Sequence, residues 1–228
     1  MTNPTNGSVA GAVEYDAAAV TAADKKVYSH RAKLICGLEG GMPLNMTLPA
    51  MCKVRGHLLA SVPSDTASIA AVTLGMGDAL VPALFANCPR VGWVAGLELI
   101  DYVSGEPQAC AEKMLRGSTV GRSLQWGVDV LAVTQLPVPV AAARSTAILA
   151  YSFDESIVPK ARAHWYALLE ADRRVVAVAT TWHRGLDMGS LLPSFKLQTK
   201  LRAPMEGGNC SRTMLILYRA SNAQRLSI

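Results

Sequence analysis

Aromatic residues are scarce in this chain: three Phe, six Tyr and four Trp among 228 residues. A core of useful size must then come mainly from Ala, Val and Leu, and half of all residues are apolar. With only 17% charged residues, intrinsic disorder is excluded for most of the length. Long uninterrupted apolar runs are missing as well. Lys53, Arg55 and His57 break one apolar region, and Gln125 with Asp129 break another, so no spanning helix is expected. The opening, Met1 to Gly11, has neither the basic start nor the apolar run of a signal peptide. These absences read as a soluble protein inside the cell.

Catalytic signatures are also lacking. The four histidines, His30, His57, His164 and His183, have no Glu, Cys or second His at metal-ligand spacing, and neither HExxH nor paired CxxC occurs. Gly121-Arg122-Ser123-Leu124-Gln125 supplies only half of a nucleophile elbow, and no Gly-Lys-Ser/Thr loop is present. Gly37 to Gly41 reads as a turn, not as a dinucleotide fingerprint, and Asp154-Glu155 as a solvated pair. The five cysteines are an odd number without pattern, which suits reduced thiols in place of a disulfide framework. On these grounds no enzyme, no cofactor, no metal and no small-molecule substrate are expected.

What the chain does have is a division of charge. From Lys160 to Ile228 there are eleven Lys/Arg against four Asp/Glu, while the first 159 residues carry eleven against thirteen. A basic final third on a near-neutral body suggests an anionic polymer as partner, because clustered cations gain affinity by displacing phosphate counterions. Arg162, Arg173, Arg174, Arg184, Lys196, Lys200, Arg202 and Arg212 are the candidate nucleic-acid contacts. An ordinary solvated surface is the competing reading. Lys196, Lys200 and Arg202 share one parity of an expected strand and so are assigned to one face. Trp182 and Tyr218 stand beside Arg184 and Arg219 as candidate stacking faces for unpaired bases, or as core residues.

Organisation reads as a mobile arm over 1–24, a β-rich core over 25–220 and a tail over 221–228. Strand-like runs are assigned to Lys26–Cys36, Met51–Val62, Ser68–Met76, Arg90–Val103, Leu124–Leu136, Ser145–Phe153, Arg174–Trp182, Phe195–Arg202 and Arg212–Tyr218. Helices are assigned to Pro107–Arg116 and Pro159–Asp172, with a weaker one at Asp78–Ala86. Many short strands and few helices predict a mainly β fold: one jelly-roll-like sandwich of about eight or nine strands with two or three short helices.

Two stretches add a resemblance. Val54-Arg55-Gly56-His57-Leu58-Leu59-Ala60-Ser61-Val62-Pro63, then Ile69 to Leu74 and Asp78, resemble a strand–loop–strand–Asp pattern. Val133 to Val178, with Pro137, Ala147–Phe153 and the pair Glu170 and Arg173, continues it. Both are similar to the thirty-kilodalton superfamily of plant-virus movement proteins, of the tombusvirus and dianthovirus type, although here Gly75-Met76-Gly77 separates Leu74 from the Asp. The resemblance implies a jelly-roll-derived core that binds single-stranded, viral RNA without sequence preference and carries it through plasmodesmata. It further implies self-association, with Asp78 as a structural or oligomerisation residue, and host plasmodesmal or membrane-associated partners. The expected location is host cytoplasm and plasmodesmata. A jelly-roll coat protein is the alternative, weakened by the absence of Lys and Arg from Met1 to Asp24. A matrix-type protein lacks its basic amphipathic helix.

Overall fold

The structure is a computed structural model describing residues 20–35 (backbone only for 32–35), 46–64, 66–101, 106–139, 146–153, 157–183, 186–206 and 210–220. Its centre is three strands without a solvent-facing side: β1 (Ser68–Leu74), β4 (Thr146–Ser152) and β5 (Val175–Thr181). Every residue of β4 and β5, and all but the first of β1, is buried. Such continuously apolar strands belong in a parallel sheet covered on both faces, not in a sandwich with one wet face.

The sheet is completed by β2 (Val91–Leu97), β3 (Gly121–Gln125), β6 (Phe195–Pro204) and β7 (Ser211–Arg219). Its seven strands run in the order β3-β2-β1-β4-β5-β7-β6. β3, β2, β1, β4 and β5 are parallel neighbours, and β7 is antiparallel to both β5 and β6. Parallel neighbours need crossovers, and helices supply them. α3 (Leu80–Ala86) and α4 (Glu106–Met114) pack on one face together with α1 (Ala22–Ile35) and α2 (Leu48–Ala60). α5 (Pro159–Ala171), the short α6 (Met188–Leu191) and a 3-10 turn at Val130–Ala132 cover the other. Pro159 opens α5, and Ala161, Trp165, Tyr166 and Leu169 turn inward at helical spacing.

This overturns the mainly β jelly roll. Two of the segments assigned as strands, Lys26–Cys36 and Met51–Val62, fall largely in α1 and α2. In α2 the buried set is Leu48, Ala50, Met51, Cys52, Val54, Arg55 and Leu58, in which Leu48, Met51, Cys52, Arg55 and Leu58 follow a helical spacing. Among the described side chains of α1, the inward ones are Asp24, Val27 and Arg31, and two of these three are charged. Asp24 is tied to Arg55 through two contacts of 2.7 Å, and Arg55 also donates to the Leu84 carbonyl of α3 at 2.7 Å. One buried ion pair thereby pins α1 and α2 to the helix that follows β1. Of the arm assigned to 1–24, residues 1–19 lie outside the described residues, and Ala22–Asp24 form the first turn of α1. The tail over 221–228 is also outside them.

Candidate active site

Reading outward from β1, the chain goes to β2 and β3 on one side, then returns to place β4 on the other. At such a switch point the loops leaving β1 and β4 part, and a crevice opens at their carboxyl ends. The strand ends themselves stay joined: Gly75 N donates to the Leu97 carbonyl of β2 at 2.9 Å, and Phe153 N, just after β4, donates to the Leu74 carbonyl of β1 at 3.1 Å.

The turn after β1 is Gly75-Met76-Gly77-Asp78, and its glycines are required by geometry. Gly75 has φ +71°, and a Cβ there would stand 2.7 Å from the backbone oxygen of Phe153. Gly77 has φ +53°. Ala79, the residue before α3, also holds a left-handed φ of 63° while fully buried, a strained conformation for a side-chain-bearing residue. Met76 folds back onto β2, where a Cβ on Gly96 would overlap its sulfur. A Gly75→Ala variant therefore meets both the left-handed penalty, about 1–2 kcal/mol, and a backbone clash that displaces the end of β4. Urea unfolding is expected to show a total loss of about 3 kcal/mol.

Glu98 follows β2 directly and is buried at the mouth of the crevice. One carboxylate oxygen accepts the Gly77 N–H at 2.7 Å, and the other accepts the Ile100 N–H at 3.1 Å. Trp126, following β3, donates its indole N–H to the Gly77 carbonyl at 2.9 Å. Gly127 N donates to the Ile100 carbonyl at 3.2 Å. The tips of β2 and β3 are thus bound to one glycine loop and to each other. Ile100 is left 56% exposed beside them.

On the other side of the loop, Asp78 pairs with Arg31 of α1, whose Nη1 also donates to Glu206 at 2.7 Å. The Tyr28 hydroxyl donates to the same Glu206 carboxylate. Burial opposes the charge on Arg31, but Asp78 and Glu206 outweigh it and raise its pKa. Burial together with Glu206 pushes the Tyr28 hydroxyl up to about 12. The Arg31 Nη2 is buried without a hydrogen-bond partner among the described residues, an open donor next to the glycine loop. Asp78, assigned from sequence to structure or oligomerisation, thus lies on the crevice side of α1.

The basic residues assigned to nucleic acid do not form one surface. A bulge between Leu197 and Thr199 breaks the strand alternation. Phe195, before it, packs in the α5-side core, whereas Leu201 and Ala203, after it, pack in the α2-side core. Lys196 therefore points to the opposite face from Lys200 and Arg202, and the single-face assignment fails. All three side chains are exposed. Arg173 is exposed and Arg174 is paired with Asp172 at 2.6 Å, both just before β5 and so at the end of the sheet away from the crevice. Arg162 of α5 donates to the Ile157 carbonyl at 2.8 Å and contacts His183, near the crevice end. Arg212 is half-buried at the start of β7, and Arg184 lies outside the described residues. Trp182 is 47% exposed where β5 ends. Arg219 is structural: buried, it donates to the carbonyls of Val175, Leu169, Glu170 and Asp172 and caps the Phe195 ring.

No family profile and no curated protein matches this chain. Solved structures do. The rRNA methyltransferase aviRa from Streptomyces viridochromogenes is similar at a TM-score of 0.52 and 11% identity, over 86% of this chain and 94% of that one. The chain shares its fold. M. capricolum TrmK, in complex with the cofactor product S-adenosyl-homocysteine, gives 0.46 and 9% over 74% and 68%. The B. subtilis M1A22 tRNA methyltransferase TrmK gives 0.45 and 13% over 75% and 67%. The fold is therefore a Rossmann-like, mixed α/β sheet of the kind aviRa has, and the likeness to plant-virus movement proteins is corrected. With the jelly roll go the movement and coat readings, the plasmodesmal and membrane-associated partners, and the case for a non-enzymatic protein. That case rested on missing motifs, whereas the glycine loop and Glu98 come together only across separate strands.

Proposed function

We propose that the chain is a methyltransferase that takes S-adenosyl-L-methionine as methyl donor and RNA as acceptor. The observation that carries this reading is the buried Glu98 carboxylate closing on the Gly75-Met76-Gly77 loop at the switch point of the shared fold. A carboxylate has about four acceptor positions, and the Gly77 and Ile100 amides use two. The remaining two suit a ribose diol, the role an acidic residue plays about twenty residues beyond the glycine loop in nucleotide-binding sheets of this kind. Ile100 and the half-buried Trp126 flank Glu98 as apolar walls for a purine. The open Nη2 of Arg31 fits a polar group at the other end of the loop. When bound, the donor supplies an electrophilic methyl group on a sulfonium. The expectation of no small-molecule ligand gives way to this cradle.

RNA as acceptor is supported by Trp182 and the cations around it. Trp182 N donates to the Thr213 carbonyl at 2.7 Å; Arg202 of β6 pairs with Thr213 and shares its face of the sheet, and Arg162 of α5 contacts His183, the next residue. An exposed indole beside such charges provides a stacking face for an unpaired base and contacts for its phosphates. Calorimetry with S-adenosyl-homocysteine and transfer of a tritiated methyl group to RNA test the reading. Micromolar binding with RNA-dependent label incorporation is the expected result. Absence of cofactor binding overturns the reading, and cofactor binding with label going only to protein or small molecules overturns its RNA part.

A further inference from the structure

At the opposite end of the sheet a cavity of about 540 Å3 lies between the first turns of α1, the C-terminal ends of α3 and α4, and the segment leading into β3. Lys26 and His30 enter it from α1, one helical turn apart, and Lys113 and Arg116 enter from α4 and the turn after it. Asn87 and Thr119 add polar groups, and no acidic side chain lines it. None of the four basic side chains forms an ion pair among the described residues. Asp24, two residues before Lys26 in α1, is committed to Arg55. Unneutralised like charges gathered around a concavity repel one another and draw in an anion.

We propose that this cavity is a second RNA-binding site, which holds the phosphodiester backbone of the acceptor strand away from the reacting nucleotide; it rests on the reading of RNA as acceptor. Phosphate recognition is favoured over nucleotide recognition because no Phe, Tyr or Trp lines the cavity to stack a base. The volume exceeds what a lone phosphate needs and lies within the range of ligand sites. Contact here positions the strand without reading its sequence, so the footprint on RNA spans both ends of the sheet. The charge excess of the C-terminal third gives no hint of it: all four cations precede Lys160.

The test is the salt dependence of binding to a fluorescein-labelled, unstructured oligoribonucleotide, read by anisotropy. Two double variants of exposed residues are compared with the wild type, Lys113→Ala/Arg116→Ala and Lys26→Ala/His30→Ala, with calorimetry against S-adenosyl-homocysteine run on each. Each phosphate contact on a single strand contributes about 0.7 to the slope of log K against log salt. The first variant is expected to flatten the slope by about 1.4 and the second by at least about 0.7, the share of Lys26. Cofactor affinity should stay at the wild-type value in both. A wild-type slope in both variants overturns the site, as does wild-type protein that fails to bind RNA at low salt. Displacement of RNA by inorganic phosphate as effectively as by unlabelled RNA also overturns it, since a small-anion pocket would then suffice. Loss of cofactor binding in the wild type would instead strike the methyl-donor reading, and the slopes would still decide the cavity.

Discussion

Arg55→Ala is expected to cost about 3–5 kcal/mol of folding stability, the largest single loss in the molecule. The guanidinium meets both oxygens of Asp24 at 2.7 Å and the Leu84 carbonyl at the same distance, and Asp24 is 0% exposed. Deleting the cation leaves a carboxylate sealed between α1, α2 and α3 with Asn87 and the start of α1 as weak compensation. Burial alone would raise the Asp24 pKa; the hydrogen bonds and charge of Arg55 outweigh it and hold the group at about 2 against 3.8. A depressed carboxylate pKa contributes stability that is full above about pH 4 and is lost as pH falls toward 2. The shift corresponds to about 2 kcal/mol. In Arg55→Ala the sign reverses, because the unpaired buried carboxyl prefers its neutral form. Urea titrations of both proteins through the acid range should therefore converge as pH falls. A gap that stays constant with pH would mean that Arg55 acts through packing and not through its charge. The double variant Asp24→Leu/Arg55→Met should recover much of the loss, since both charges then leave together.

That same pair explains why the fold was hard to read. Five elements declare themselves by pattern: β1, β2, β4 and β5 as apolar runs and α5 by its Pro159 start and 3-4 spacing. α1 and α2 do not. The inward stripe of α1 carries Asp24 and Arg31, and Arg55 occupies an inward position of α2, so the hydrophobic period that marks a helix is broken where the ion pairs sit. In α2 the alternation of Lys53, Arg55 and His57 with Val54 and Leu58 then imitates a strand. Two helices read as strands turn an alternating α/β order into a run of strands, and a sandwich follows from it. The near-continuous burial of β1, β4 and β5 was the countersign, because strands with one wet face alternate. The crevice was hidden for a related reason. Gly75-Met76-Gly77 reads as the end of a strand until Glu98 is known to lie at the tip of its parallel neighbour, and sequence separation conceals that adjacency. The Lys196, Lys200 and Arg202 face failed differently. A bulge between Leu197 and Thr199 has no compositional mark, and one extra residue inverts every side chain beyond it.

Glu98→Ala is expected to weaken S-adenosyl-homocysteine binding by on the order of a hundredfold to ten-thousandfold, with methyl transfer falling in step. Two hydrogen bonds from a diol to a carboxylate are worth about 1.5–3 kcal/mol each, and their loss is not made up by water in a buried mouth. The same carboxylate holds the Gly77 and Ile100 amides, so its removal also frees two backbone donors and loosens the loop. That second effect appears as stability, about 1–3 kcal/mol by urea unfolding, and does not depend on ligand. Glu98→Gln separates the two. Its single amide oxygen still accepts from one backbone N–H, while the NH2 group opposes the other backbone donor and cannot accept from a diol hydroxyl as the carboxylate oxygen does. Binding should then fall nearly as far as in Glu98→Ala, with a smaller stability loss. A Gln variant that binds as the wild type does would show that the carboxylate only braces the loop and that the diol contact lies elsewhere. RNA affinity at low salt provides the internal check, because the cations at Trp182 and in the α1–α4 cavity are untouched by either change. A protein that keeps RNA and loses the nucleoside has lost one end of its chemistry and kept the other, which is the separation expected when two ends of one sheet bind different parts of the reaction.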